Sequence, residues 1–262
     1  MGRRLGQHFL NRKSTLDRIA ESACGERTPL VIEIGAGRGA LTESLLERAD
    51  KVVAIELDPV LIHYLRQKFR DALDSGRLVL VESDVLKTDL GSFIEERGPA
   101  VIAGNLPYYI TSPILERLFE ARGKWKRAVI LVQAEVAARI VAQPGCRDYG
   151  YLSVLVQVQA RAERLFEVPK TSFRPPPKVD SAVVGLEPIA PHIGDLPSFL
   201  KFVGHCFRYK RKTLRNNLAG LYDRAAVEAL IGSKDRAETL SVAELALLFA
   251  ALTTPRALVY PT

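Results

Sequence analysis

Cysteine is scarce in this chain. Three occur in 262 residues, Cys24, Cys146 and Cys206, widely spaced and with no C-x-x-C pair. An odd, scattered set builds neither a disulfide framework nor a zinc site and reads as small buried hydrophobes in a reducing compartment. Histidine is also sparse. His8, His63, His192 and His205 have no ligand spacing, so no metal is expected. Long apolar runs are missing. The most apolar stretch, residues 243–252, is interrupted by Glu244 and reads as an amphipathic helix, so no membrane span is expected. The opening Met-Gly-Arg-Arg-Leu-Gly carries charge but no apolar h-region. That argues against a signal peptide and for a cytoplasmic protein. Internal repeats and low-complexity tracts are absent, and nothing demands more than a monomer.

What is present is an ordinary globular composition with a basic balance. Hydrophobic residues make up 47% and charged residues 26%, enough for one large domain or one plus a small one. The formal charge is +7 and the sequence pI about 9.4, which favours a polyanionic partner without saying anything about fold.

Short apolar runs alternate with helical patterns over the first half. Residues 30–34, 51–55, 78–82, 100–103 and 127–132 read as buried strands, and 40–49, 59–72 and 112–121 as helices. That alternation predicts an α/β fold with a parallel sheet covered on both faces, whose ligands bind at the carboxyl ends of the strands. Residues 154–162 and 179–186 read as further strands, separated by a segment containing Pro175-Pro176-Pro177, which favours extended backbone. Beyond about residue 188 the pattern turns helical. The expected division is a catalytic domain over 1–188 and a small all-helical domain over 189–262.

A glycine turn follows the first strand: Glu33-Ile34-Gly35-Ala36-Gly37-Arg38-Gly39. Glycines at a strand-to-helix turn let backbone pass close to a ligand. The spacing is G-x-G-x-G rather than the G-x-G-x-x-G of dinucleotide binders. Glu56 ends the second strand, 21 residues after Gly35, where a carboxylate can accept from ribose hydroxyls. Asp84 follows the third strand, where it can accept from an adenine amino group with Val85 beside the ring. Taken singly, each acid reads as a solvated helix N-cap and the glycines as a tight turn. At three successive strand ends, the set points to S-adenosylmethionine.

Asn105-Leu106-Pro107-Tyr108 directly follows the fourth strand. Adenine N6 is a poor nucleophile because its lone pair is delocalised into the ring. A site helps by accepting hydrogen bonds from the amino group, and the Asn105 side-chain oxygen and Leu106 carbonyl suit that task. Pro107 stiffens the loop. Tyr108 offers a face on which a base can stack. A methyl on sulfonium is already activated, so positioning and electrostatics suffice. The base must be unpaired or flipped out. The competing reading is a strand-to-helix turn with a proline and a packed tyrosine.

At this point the chain resembles the ribosomal RNA adenine dimethyltransferases, in their small-subunit (KsgA/RsmA) branch. The resemblance rests on Gly6-Gln7-His8-Phe9-Leu10, the glycine turn, Glu56, Asp84 and Asn105 to Tyr108, then on Phe173-Arg174-Pro175-Pro176-Pro177-Lys178-Val179-Asp180-Ser181 and Lys210-Arg211-Lys212-Thr213-Leu214-Arg215-Asn216-Asn217-Leu218. It implies a Rossmann-like class I methyltransferase sheet. It also implies N6-dimethylation of two adjacent adenosines in a hairpin loop near the 3′ end of 16S rRNA, within the small ribosomal subunit and tied to its biogenesis. Cofactor contacts would fall on His8, Leu10, Gly35, Gly37, Glu56, Asp84, Val85 and Asn105. The family often has asparagine at position 8, where this chain has histidine, and asparagine at 109, where it has Tyr109. Phe173 is expected to close over the target base as a second aromatic wall; a core phenylalanine entering a strand is the other reading.

Residues 201–215 hold Lys201, Arg208, Lys210, Arg211, Lys212 and Arg215 with no acid. Arg3, Arg4, Arg12 and Lys13 form a second basic cluster. A charge run is usually a solvated face, but these clusters, the first with interleaved Phe202, Phe207 and Tyr209, suit a phosphate backbone. Two alternatives stand: a 23S rRNA adenine methyltransferase of the macrolide-resistance type, and a non-catalytic ribosome assembly factor.

Overall fold

The computed structural model describes residues 8–94, 98–231 and 235–253. They form two compact units. One comprises 1–138 with 160–189, the other 139–159 with 190–262. The sequence reading cut the chain once, after residue 188. The difference is the segment 139–159, which belongs to the unit that holds the C-terminal helices. Among the described residues, no helix is long and apolar enough to cross a membrane.

The first unit opens with β1 (Phe9–Leu10) and α1 (Lys13–Cys24), followed by β2 (Thr28–Ile34), α2 (Ala40–Leu46) and β3 (Ala49–Glu56). Next come α3 (Pro59–Lys68), α4 (Arg70–Asp74), β4 (Leu78–Glu82), β5 (Ala100–Asn105), α5 (Thr111–Glu120) and β6 (Trp125–Gln133). After α6 (Ala134–Val141) and α7 (Tyr151–Gln157), the latter in the second unit, come β7 (Ala160–Val168), β8 (Phe173–Arg174) and β9 (Ser181–Pro188). Seven strands form one sheet in the order β4-β3-β2-β5-β6-β9-β7. The first five are parallel, and β9 runs antiparallel to both β6 and β7.

The central strands read as unbroken apolar runs because both faces are covered. Val31, Val101, Ala103, Val129 and Leu131 share one core cluster with Leu16, Ile19, Ala20 and Ala23 of α1. The alternate residues Ile32, Ile102 and Ile130 are equally buried. The buried set of α1 falls at helical spacing, and Gly25 in a left-handed conformation ends the helix, donating its N–H to the Glu21 carbonyl at 2.8 Å. Asp58 caps α3 by accepting from Val60 N at 2.9 Å, with Pro59 in the first turn.

Gly104, one residue before the end of β5, lies opposite Ile34 of β2. A Cβ there would sit 2.6 Å from the Ile34 carbonyl oxygen, a backbone atom that cannot yield without parting two central strands. Gly104→Ala is therefore expected to lower the melting temperature by roughly 2–10 °C, and to impair methyl transfer more than cofactor binding, because Asn105 is carried with the strand. Thermal unfolding and turnover assays check both effects.

The second unit adds α8 (Leu196–Cys206), α9 (Leu214–Leu218), α10 (Arg224–Leu230) and α11 (Val242–Thr253). Phe199, Phe202, Val203 and Cys206 fall on one face of α8 and pack with Leu214, Leu218, Leu245 and Leu248. Asp195 caps α8 by accepting from Ser198 N at 3.1 Å. Asn217 is 7% exposed and staples the turn after α8. Its Nδ2 donates to the Cys206 carbonyl at 2.8 Å, and its Oδ1 accepts from Tyr209 N at 3.1 Å.

Of the strand expected over 154–162, only 160–162 is formed, as the start of β7. Residues 154–157 are the end of helix α7. The run Val154-Leu155-Val156 has no period that separates strand from helix. Tertiary bonds decide it: Ser153 Oγ donates to the Arg139 carbonyl at 2.5 Å, and Gln157 Nε2 to the Ala142 carbonyl at 2.8 Å. Both acceptors lie at the end of α6 or just beyond it.

Candidate active site

A cleft of about 280 Å³ opens in the first unit at the carboxyl ends of β2, β3, β4 and β5. This is where a parallel sheet leaves backbone groups free for a ligand. Its walls carry Gly35 and Gly37, Glu56, Asp84 with Val85, and Asn105 through Tyr108, so the acids and the loop read from the sequence meet in one place.

The glycine turn is close-fitting. Gly37 has φ 56°, and a Cβ on it would lie 3.3 Å from the Phe9 ring. Beneath the turn, Glu33 is fully enclosed and accepts from Thr42 Oγ1 at 2.6 Å. Burial pushes its carboxyl up to about 7, against the stabilising Thr42 bond.

Glu56 is 5% exposed and locks the turn to the end of β3. Its Oε2 accepts from Gly37 N at 2.8 Å; its Oε1 accepts from Leu57 N at 2.9 Å and Asp58 N at 3.0 Å. A carboxylate has roughly four acceptor positions, so three are already taken by backbone. Asp84 uses one oxygen to accept from Leu86 N at 3.0 Å, and its carbonyl accepts from Thr88 Oγ1 at 2.8 Å.

Asn105 sits at the end of β5 with its amide polarity set by its neighbour. Nδ2 donates to the His8 carbonyl at 3.2 Å. A carbonyl can only accept, so the amide nitrogen faces it and Oδ1 is turned away from it. Leu106 N donates to the Leu131 carbonyl at 3.0 Å, tying the loop to β6. Tyr108 is half-buried. Its hydroxyl shares a 2.7 Å hydrogen bond with Ser181 Oγ, and its ring stacks at 6.2 Å and 24° on that of His8. Burial pushes the Tyr108 phenol up, with the Ser181 bond acting the other way.

The chain carrying His8 crosses this site as a strap. β1 pairs antiparallel with β8, Phe9 opposite Arg174 and Leu10 opposite Phe173. His8 Nδ1 donates to the Pro175 carbonyl at 2.8 Å. The pairing also places the side chains of Leu10 and Phe173. Leu10 and Phe173 are 5% and 1% exposed and belong to the core cluster, not to the cleft walls. In an extended strap side chains alternate, so Phe9 faces the cleft while Leu10, with Phe173 opposite it, anchors the strap from below.

Sequence reasoning missed Phe9, Leu57 and Ser83 as cleft residues. Tyr109, noted only as a departure, also lines the cleft and is 64% exposed. Gly6, Gln7, Arg3 and Arg4 lie outside the described residues. Arg12 is exposed, and Lys13 pairs with Asp17 at 2.7 Å. In the second unit Lys201, Arg208, Lys210, Arg211 and Lys212 are exposed, while Arg215 pairs with Glu228 at 3.0 Å. Phe202 and Phe207 pack in the core of that unit. Of the three interleaved aromatics only Tyr209 is well exposed, with Arg208 5.3 Å from its ring centre.

The family model described as "Ribosomal RNA adenine dimethylase" matches residues 2–254. The chain is 44% identical to a ribosomal RNA small subunit methyltransferase A of Synechococcus elongatus, covering 92% of this chain and 91% of that one. It is 41% identical to the protein of that name from Acidobacterium capsulatum, covering 95% and 90%. Among solved structures, a dimethyladenosine transferase from Plasmodium falciparum superposes with a TM-score of 0.76 at 27% identity, covering 92% of this chain and 96% of that one. The 23S rRNA methyltransferase ErmE does so with 0.70 at 29%, covering 93% and 99%. The sheet is thus the Rossmann-like methyltransferase sheet the motifs pointed to. With glycine turn, acids and Asn105 loop around one cleft, this chain belongs to the ribosomal RNA adenine dimethylase family, and its methyl donor is S-adenosylmethionine.

Proposed function

We propose that the protein dimethylates N6 of two adjacent adenosines in a hairpin loop near the 3′ end of 16S rRNA, acting as a cytoplasmic monomer on the small ribosomal subunit during its assembly. The observation that carries the mechanism is the fixed amide of Asn105, whose Nδ2 is committed to the His8 carbonyl.

S-adenosylmethionine supplies a methyl group on a sulfonium, already activated for transfer. The cleft suits it chemically. Gly35 and Gly37 bring backbone close, Glu56 keeps one acceptor position for a ribose hydroxyl, and Asp84 keeps its second oxygen for an amino group, with Val85 against the ring. His8 contributes its ring and the carbonyl that orients Asn105. The target adenine, unstacked from its neighbours, lies against Tyr108. Asn105 Oδ1 and the Leu106 carbonyl accept from its amino group, drawing the nitrogen toward a tetrahedral shape whose lone pair points out of the ring. Leu10 and Phe173 support the strap beneath these groups.

The catalytic work belongs to the unit built on the sheet, and RNA binding to the helical unit. There the exposed Arg208, Lys210, Arg211 and Lys212 suit phosphates. The names of the 44% and 41% identical relatives favour the small subunit over the large. Mass mapping of methylated adenosines in both rRNAs, from cells with and without the gene, decides it. The expected result is loss of two adjacent dimethyladenosines from 16S rRNA alone. Loss from 23S rRNA would establish the macrolide-resistance alternative instead. Unchanged rRNA, with no binding of S-adenosylmethionine by calorimetry, would establish the assembly-factor alternative.

A further inference from the structure

Ser181 opens β9, and its side chain has no access to solvent. It is held by ladders on both sides, opposite Gln133 of β6 and Val168 of β7. The preceding residue is equally fixed. The Asp180 carbonyl accepts from Ala134 N at 3.0 Å, and its carboxylate from Lys170 N at 2.8 Å. A buried hydroxyl must find a partner or cost stability. That of Ser181 shares its 2.7 Å hydrogen bond with the Tyr108 hydroxyl.

Tyr108 is in the opposite situation. It stands on a short 3-10 turn, Tyr108–Ile110, directly after Pro107. Such a turn leaves the ring free to swing about its first side-chain torsion unless its far edge is restrained. Two contacts restrain it: the His8 ring on one face, itself held through the Pro175 carbonyl, and the Ser181 hydroxyl at the tip. The segment from Phe173 to Ser181 thus touches both aromatic walls without lining the cleft itself.

We propose that Ser181 is a positioning residue for methyl transfer, its hydroxyl fixing the tip, and so the position, of the Tyr108 ring against which the target adenine stacks. This rests on the reading of Tyr108 as the wall for that base. Ser181 touches neither donor nor adenine; it acts through Tyr108. The face of the adenine determines where N6 points relative to the donor methyl, so a loosened ring costs rate rather than cofactor affinity.

Four measurements test this on Ser181→Ala, Tyr108→Phe, the double variant and Tyr108→Ala: melting temperature, S-adenosylmethionine affinity by calorimetry, KM for small subunits and single-turnover methyl-transfer rate. Ser181→Ala is expected to leave donor affinity within about twofold and to slow transfer roughly three- to tenfold, as for loss of one hydrogen bond. Tyr108→Phe breaks the same bond from the accessible side and is expected to give a similar loss, even if Ser181→Ala folds poorly. The double variant is expected to be no slower than Tyr108→Phe alone. A wild-type rate in Tyr108→Phe, or losses that multiply in the double variant, overturns the role of Ser181. An undiminished rate in Tyr108→Ala overturns the wall itself, and the Ser181 role with it.

Discussion

Asn105→Ala is expected to slow single-turnover methyl transfer at saturating donor by at least roughly 10²-fold, the scale for losing one preorganised hydrogen-bonding group aimed at developing charge. The residue does two things at once. Its Nδ2 holds the His8 carbonyl at 3.2 Å, and that bond leaves Oδ1 free to accept from the amino group in the proposed mechanism. Alanine removes the acceptor and releases the strap. Asn105→Asp separates the two effects. It keeps an acceptor but places a carboxylate oxygen against the His8 carbonyl, two acceptors with no proton between them. It is therefore expected to be nearly as slow as alanine, and to expose the amides of β1 to hydrogen exchange. Full activity of Asn105→Ala on immature small subunits, with S-adenosylmethionine still bound, would remove Asn105 from the mechanism.

Glu56→Gln is expected to weaken S-adenosylmethionine binding by roughly 10- to 100-fold, the range for disrupting one hydrogen bond to a buried charged group. The reason is local arithmetic. The carboxylate accepts from three backbone N–H groups, one at Gly37 and two at Leu57 and Asp58. A glutamine amide offers one oxygen. If that oxygen keeps Leu57 and Asp58, its NH2 faces the Gly37 N–H, donor against donor, and the glycine turn is pushed off β3. Glu56→Ala is expected to do more, leaving three donors without an acceptor and lowering the melting temperature as well. Calorimetry on both variants, with turnover at saturating donor, separates binding from chemistry. Unaltered affinity in Glu56→Gln would show that the ribose contact lies elsewhere.

Much of the site was legible because it sits where secondary structure ends. Gly35, Gly37, Glu56, Asp84 and Asn105 each lie at or just after the end of a short apolar run alternating with helical patterns, and parallel strands deliver their carboxyl ends to one edge. Composition and spacing were enough. The side chains of Leu10 and Phe173 could not be placed from the sequence, because an aromatic or aliphatic residue beside a site has the same signature whether it faces the cleft or the core. Pairing of β1 with β8 decides that, and it joins residues 163 positions apart, Leu10 and Phe173. Residues 154–157 were misread for a related reason: a short, continuously apolar stretch carries no period, and contacts with the end of α6 chose helix.

By itself, then, the sequence determined the α/β class, the strands at whose ends the cleft lies, and the glycines, acids and Asn105 loop that line it, because those depend on local pattern and on chemistry placed at strand ends. The tertiary structure alone decided which way the Asn105 amide points, how the Glu56 carboxylate is divided among three N–H groups, and what holds Tyr108 upright. Each of these depends on a partner distant in the chain, His8 for Asn105 and Ser181 for Tyr108, or on an atom-level hydrogen-bond geometry that no local spacing encodes.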